Sequence, residues 1–220
     1  MEKTTAMTAG GLEGVVVADT RLSEVDGERG RLVIAGHDIE RLALAASFED
    51  VVGLLCTGAL PDAAGREAQR RALAEGRVLA FARLAGCGDA FELVDGMDSL
   101  RASVGHLEEG GAGAAARLIG AVGVYAAAWA RVRAGERPLA PDPGLSHAAD
   151  YLRMSDGREP EAARVAGLDA YLVTVADHGL NASTFAARVV TSTGSDMVSA
   201  IVAAIGALKG PLHGGAPGPV

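Results

Sequence analysis

Two histidines stand where the backbone can come close to a ligand. In Lys209-Gly210-Pro211-Leu212-His213-Gly214-Gly215-Ala216 the imidazole follows an apolar run, 201–208, and its glycine neighbours lack the Cβ that would obstruct an approaching group. In Asp177-His178-Gly179-Leu180-Asn181-Ala182-Ser183-Thr184 a second imidazole precedes a helical pattern and has amide and hydroxyl side chains close by. A neutral imidazole offers one donor and one acceptor, and the partner of one nitrogen decides what the other presents. Such a group suits a reaction in which negative charge builds on an oxygen, where a preorganised donor contributes about 3–4 kcal/mol. Loops at helix ends commonly carry side chains of this kind.

Other constellations carry less. Gly111-Ala112-Gly113-Ala114-Ala115-Ala116 fits a relaxed dinucleotide-binding pattern, but His106-Leu107-Glu108-Glu109 continues a helix where that motif needs a strand, so a helix connection is expected. Asp177-His178 near Ser183 lacks the Gly-x-Ser-x-Gly elbow of a hydrolase. His106 and His147 fall in helical patterns and read as surface or satisfied core residues, and His37 reads as structural. No histidine pair has the i, i+4 spacing of a helical zinc site and no Cys or carboxylate partner recurs, so no metal is expected. Cys56 and Cys87 lack metal-like spacing and read as free, buried thiols.

The elements that must position these residues are helical. Ser47 with Asp50 forms a capping-box pattern before Val51, Val52, Leu54 and Leu55, and Gly58 with Pro61 closes that segment. Periodicity predicts further helices over 62–84, 97–109, 114–134, 145–154, 161–176, 182–192 and 196–208. Before them, 15–34 alternates around Asp26-Gly27 and predicts a β-hairpin or extended arm. The resulting division is an arm over 1–46 and a helical portion over 47–220, with the Pro-rich stretch 137–144 read as a loop inside one domain.

Longer blocks carry a resemblance. Asp177 through Val189, Thr193-Gly194-Ser195-Asp196, and Ile205 through Ala216 closely resemble the citrate synthase family. Gly11-Leu12-Glu13-Gly14-Val15, Asp26 through Leu32, Gly36-His37-Asp38-Ile39 and Ser47 through Val51 agree with it, in the family's order. The resemblance implies an all-α fold of large-domain helices with a short N-terminal β hairpin, and condensation of acetyl-CoA with oxaloacetate to citrate and CoA. It makes His213 the catalytic donor to the enol oxygen and Ser183 the residue that orients it. His178 and Asn181 fall at oxaloacetate-binding positions, and Leu212, Gly214, Gly215 and Ala216 form the acyl-CoA loop. It requires no cofactor beyond the coenzyme A thioester substrate.

Other expectations come from departures and omissions. The family's general-base aspartate, a third histidine and most of its carboxylate-binding arginines follow the Leu-His-Gly-Gly-Ala block and cannot be carried onto these residues. The expectation is therefore a chain without the small domain, holding the N-terminal part of the site and inactive alone, or else a non-catalytic or split subunit needing a partner chain. Asp95-Gly96-Met97 replaces the His-Pro-Met of many members and predicts a softer connection. The unusual Pro217-Gly218-Pro219 after Ala216 keeps propionyl-CoA, the 2-methylcitrate synthase substrate, as the alternative. Members are generally dimers, and the small-residue helices 114–134 and 196–208 are expected to meet in such an interface.

Composition narrows the partners. A net charge of −8 disfavours nucleic acid, which needs clustered Lys and Arg. The longest apolar run, 118–130, is too short for a membrane span, and no signal-peptide pattern precedes the first helices, so a cytoplasmic location is expected. With 49% hydrophobic but only 4% aromatic residues, the core should be made of closely packed helices with small contact residues.

Overall fold

The computed structural model describes residues 18–108, 111 and 113–214. The motif 11–15, Gly215 and Ala216 lie outside the described residues. Strands β1 (Ser23–Asp26) and β2 (Arg31–Ile34) pair antiparallel across the turn at Asp26-Gly27, with Ser23 opposite Ile34. A short β3 (His37–Asp38), unforeseen in the sequence, returns along β2 through Ala35 and Gly36, both with positive φ (45° and 85°) as tight hairpin turns require.

Helices follow. They are α1 (Ile39–Ala45), α2 (Phe48–Thr57), α3 (Ala63–Arg83), α4 (Gly96–Val104), α5 (Ala114–Arg133), α6 (His147–Asp156), α7 (Ala162–Thr174), α8 (Ala182–Ser192) and α9 (Met197–Leu208). Helix α1 escaped the sequence reading because it spans only seven residues, too few for a clear 3.6-residue period. The Ser47–Asp50 capping box is formed: the Ser47 amide donates to Asp50 Oδ2 over 2.9 Å and the Asp50 amide to Ser47 Oγ over 3.2 Å. Helix α4 was expected to run through Glu109 but stops at Val104. Gly105 ends it, and the His106 and Leu107 amides turn back to Ser103 and Val104, so His106 is outside the helix.

Small residues bring α3 and α5 together. A Cβ on Gly76 would lie 2.3 Å from the Arg117 carbonyl oxygen, and one on Gly120 would lie 2.3 Å from that of Leu73. The main core gathers Ala80, Phe91, Val104, Val124 and Tyr125 around α5. Gly76 and Gly120 thus seat α3 of the same chain directly against α5. A second cluster, Ile34, Leu42, Val51, Leu54 and Val173, joins the sheet to α1, α2 and α7.

One further expectation is corrected. Cys87 is buried but Cys56 is exposed: burial fades from Val51–Leu54 toward the last turn of α2, and periodicity alone cannot show where cover ends. At the 95–97 connection, where proline is absent, other contacts set the entry to α4. Asp95 caps α4 by accepting from the Asp98 amide over 2.9 Å, and Gly96 packs so closely that a Cβ there would be 3.1 Å from the Trp129 ring. The Pro-rich loop is likewise pinned: Arg77 donates to the Leu145 carbonyl over 3.0 Å, and the Asp142 amide donates to Asp150 over 3.0 Å.

Candidate active site

The site begins at the start of α8. Asn181 is its N-cap, and Asn181 Oδ1 accepts from the Thr184 amide over 3.0 Å. That donor fixes the amide orientation, since only the oxygen can accept. The approach to the cap is set by Gly179, whose φ of +95° suits glycine and whose amide donates to Asp177 Oδ1 over 2.8 Å.

Helix α9 runs beside α8 and delivers the second loop. Its own N-cap is Asp196, which accepts from the Ser199 amide over 2.8 Å. At its far end Lys209 forms an ion pair with Asp98 and lies 3.6 Å from Asp95, tying the loop to the start of α4. The hydrogen bond to Asp98 raises the Lys209 ammonium above its ordinary value, keeping it charged. Beyond Lys209 the chain turns tightly, with the His213 amide donating to the Gly210 carbonyl over 2.9 Å. Gly214 folds back so far that a Cβ would stand 2.5 Å from the Leu208 carbonyl oxygen, which explains a glycine at that position.

The loop after α9 meets the first turn of α8 where His213 Nε2 lies 3.0 Å from Ser183 Oγ. Ser183 Oγ is in turn 2.8 Å from Asn181 Oδ1. Side chains separated by thirty residues in sequence thus form a continuous polar chain, Asn181–Ser183–His213. The imidazole is half-buried with one nitrogen held, which leaves Nδ1 for a ligand.

Not every expected residue joins. His178 is exposed on the loop before α8 and makes no hydrogen bond to this group among the described residues. Leu212 is 98% exposed. Asn181, expected at the substrate, spends its oxygen on the helix cap and keeps only its Nδ2 donors for another partner. Two contributors were missed: Thr184, whose Oγ1 lies 3.1 Å from Asn181 Oδ1, and the Lys209 tie to α4. The Asn181-x-x-Thr184 spacing of a capped helix start was the available signal for the first; nothing local signals the second. No carboxylate hydrogen-bonds to this group, and no set of His, Cys, Asp and Glu suited to a metal ion occurs among the described residues. No described helix is long and apolar enough to cross a membrane.

Comparison with known proteins gives a consistent result. Residues 11–220 match the family described as citrate synthase, C-terminal domain. The citrate synthase of Haloferax volcanii is 42% identical over 94% of this chain and 58% of its own length. The 2-methylcitrate synthase of Mycobacterium tuberculosis is 39% identical over 94% of this chain and 55% of its own. The crystal structure of Thermotoga maritima citrate synthase superimposes with a TM-score of 0.83 at 33% identity, covering 94% of this chain and 57% of that one. Thermoplasma acidophilum citrate synthase, solved in a ternary complex with carboxymethyl coenzyme A and oxaloacetate, superimposes with a TM-score of 0.83 at 29% identity over 94% and 57% of the two chains. The chain spans a little over half the length of these relatives.

Proposed function

The chain belongs to the citrate synthase family, and from that premise we propose that it carries one side of a site condensing acetyl-CoA with oxaloacetate, with His213 as the donor to the developing enol oxygen. The observation that carries this reading is the 3.0 Å contact from His213 Nε2 to Ser183 Oγ, which holds a loop imidazole by one nitrogen and leaves the other for substrate. A base removes a proton from the thioester methyl group, and His213 Nδ1–H stabilises the enol oxygen. The methylene carbon then bonds to the ketone carbon of oxaloacetate as the carbonyl π bond opens, and the alkoxide oxygen so formed takes up a proton that balances the one removed from the methyl group. Hydrolysis of the resulting thioester by water releases CoA and citrate.

The other assignments follow the same premise. His178, exposed near the start of α8, contacts oxaloacetate, and the Asn181 Nδ2 donors face the same ligand. Leu212, Gly214, Gly215 and Ala216 border the acyl-CoA. The base lies outside the Asn181–Ser183–His213 chain and comes from another part of the protein, a second copy or a partner chain. Helix α8 buries none of its residues and exposes Phe185 and Val189, which supports such an arrangement and a homodimer.

The test is oxaloacetate-dependent CoA release, from acetyl-CoA and from propionyl-CoA. Residues 1–220 are assayed alone and together with the portion of the Haloferax volcanii enzyme that the match leaves uncovered. Release from the mixture only, faster with acetyl-CoA, is expected. A preference for propionyl-CoA would assign 2-methylcitrate synthesis instead. A stable mixture without release would make the chain a non-catalytic subunit.

A further inference from the structure

Asn181 Oδ1 has three donors within reach. These are the Thr184 amide at 3.0 Å, Thr184 Oγ1 at 3.1 Å and Ser183 Oγ at 2.8 Å. An amide oxygen has two lone pairs. The backbone amide, fixed by the helix, takes one, so the two hydroxyls compete for the other.

The competition reaches His213. Ser183 has a single proton and two acceptors, Asn181 Oδ1 and His213 Nε2, the latter 3.0 Å away. If Ser183 donates to Asn181, its oxygen can only accept from the imidazole, the proton sits on Nε2, and Nδ1 is a bare lone pair. If Ser183 donates to the imidazole, Nε2 is the acceptor and Nδ1 carries the proton. Thr184 Oγ1 has Asn181 as its only hydrogen-bond partner among the described residues. The second arrangement gives the Thr184 amide, the Thr184 hydroxyl and the Ser183 hydroxyl one acceptor each, at the cost of an unbridged 2.8 Å contact between Ser183 Oγ and Asn181 Oδ1; in the first that contact is a hydrogen bond and the Thr184 hydroxyl must compete for a filled lone pair.

We propose that Thr184 is a positioning residue: by donating its hydroxyl to Asn181 it leaves the Ser183 proton for His213 Nε2, so that the imidazole presents Nδ1–H to the substrate. Thr184 makes no hydrogen bond to His213 among the described residues and acts through two intervening side chains. The consequence for catalysis rests on the reading of His213 as the donor to the enol oxygen; the tautomer does not. Replacing the hydroxyl opens the second lone pair of Asn181, Ser183 turns toward it, and the proton of the neutral imidazole moves to Nε2. One hydrogen bond of ordinary strength changes such a ratio by about fivefold.

The experiment is long-range 1H–15N correlation on residues 1–220 labelled with 15N-histidine, recorded at a pH where His213 is neutral. His213→Ala identifies the resonance. The unsubstituted protein is expected to hold mainly the Nδ1–H tautomer. Thr184→Val, close in shape and without the hydroxyl, shifts the ratio toward Nε2–H by about fivefold, and Thr184→Ser restores it. A majority of Nε2–H in the unsubstituted protein, which needs no variant to observe, overturns the proposal; so does an unchanged ratio in Thr184→Val. These readings are made without substrate. The expected tautomer shift together with full turnover by His213→Ala would overturn the catalytic reading alone, and an unchanged tautomer with an inactive His213→Ala would overturn the role of Thr184 alone.

Discussion

Arg77 and Asp150 are both fully buried, and Arg77 Nε donates to Asp150 Oδ2 over 2.7 Å. Asp150 also accepts from the Asp142 amide at 3.0 Å and from Arg153 at 2.9 Å, so one carboxylate ties α3, α6 and the Pro-rich loop together. Burial pushes the Arg77 guanidinium below its ordinary value despite that carboxylate. Removing one partner strands the other charge away from water. Asp150→Ala is expected to cost about 3–5 kcal/mol, measured by urea unfolding; a loss below about 1 kcal/mol, the range of exposed pairs, would contradict this account of the interior.

His147 gives a pH dependence of definite sign. Its ring is buried 5.3 Å from Phe48, with Nδ1 3.5 Å from Arg77, and burial followed by the Arg77 charge lowers its pKa to about 4 from 6.5. Above pH 6.5 folded and unfolded chains both hold it neutral and it contributes no pH dependence. Below that, the unfolded chain takes up a proton that the folded chain refuses, and stability falls by about 1.4 kcal/mol per pH unit. His147→Gln should remove this part of the slope between pH 6.5 and 5. Unfolding curves with equal slopes for both proteins would show that the ring is not held neutral.

The glycines of the helix contacts can be separated by their surroundings. Gly76→Ala and Gly120→Ala each place a Cβ 2.3 Å from a backbone oxygen that cannot step aside, and each should lose at least about 2 kcal/mol. Gly167→Ala, in the middle of α7 where an added Cβ would meet no other part of the protein within 4 Å, should gain about 0.5–1 kcal/mol from helix propensity. Thermal unfolding of the three variants checks the order.

Oxaloacetate binding tests the second histidine. His178→Ala should weaken binding about tenfold, as expected for the loss of a hydrogen bond to a charged ligand, while leaving α8 intact because the cap is Asn181. Calorimetric titration of the same mixture used for CoA release, showing unchanged affinity, would remove His178 from the site.

Much of this was legible in the sequence because the signals are local. Ser47 with Asp50 and the hairpin at Asp26-Gly27 each fix backbone within a few residues, and each is found as expected. The Ser183–His213 pairing was available only through the family resemblance. Its geometry depends on α8 lying along α9, and on Lys209 reaching Asp98. What stayed hidden is non-local or finely balanced. The exposure of Cys56 depends on where neighbouring helices stop covering α2, and the Arg77–Asp150 pair joins residues far apart in the chain. Thr184 falls inside the predicted helix 182–192, but its competition for a lone pair of Asn181 is visible only in the distances.

The central claim is that His213 Nδ1–H stabilises the enol oxygen. The direct measurement is the turnover number for oxaloacetate-dependent CoA release from acetyl-CoA by residues 1–220 mixed with the uncovered portion of the Haloferax volcanii enzyme, with and without His213→Ala. The account predicts a fall of at least about a hundredfold in kcat with little change in oxaloacetate affinity, as for an interaction made mainly in the transition state. Turnover within about threefold of the unsubstituted protein, well under what loss of such a donor costs, would contradict it.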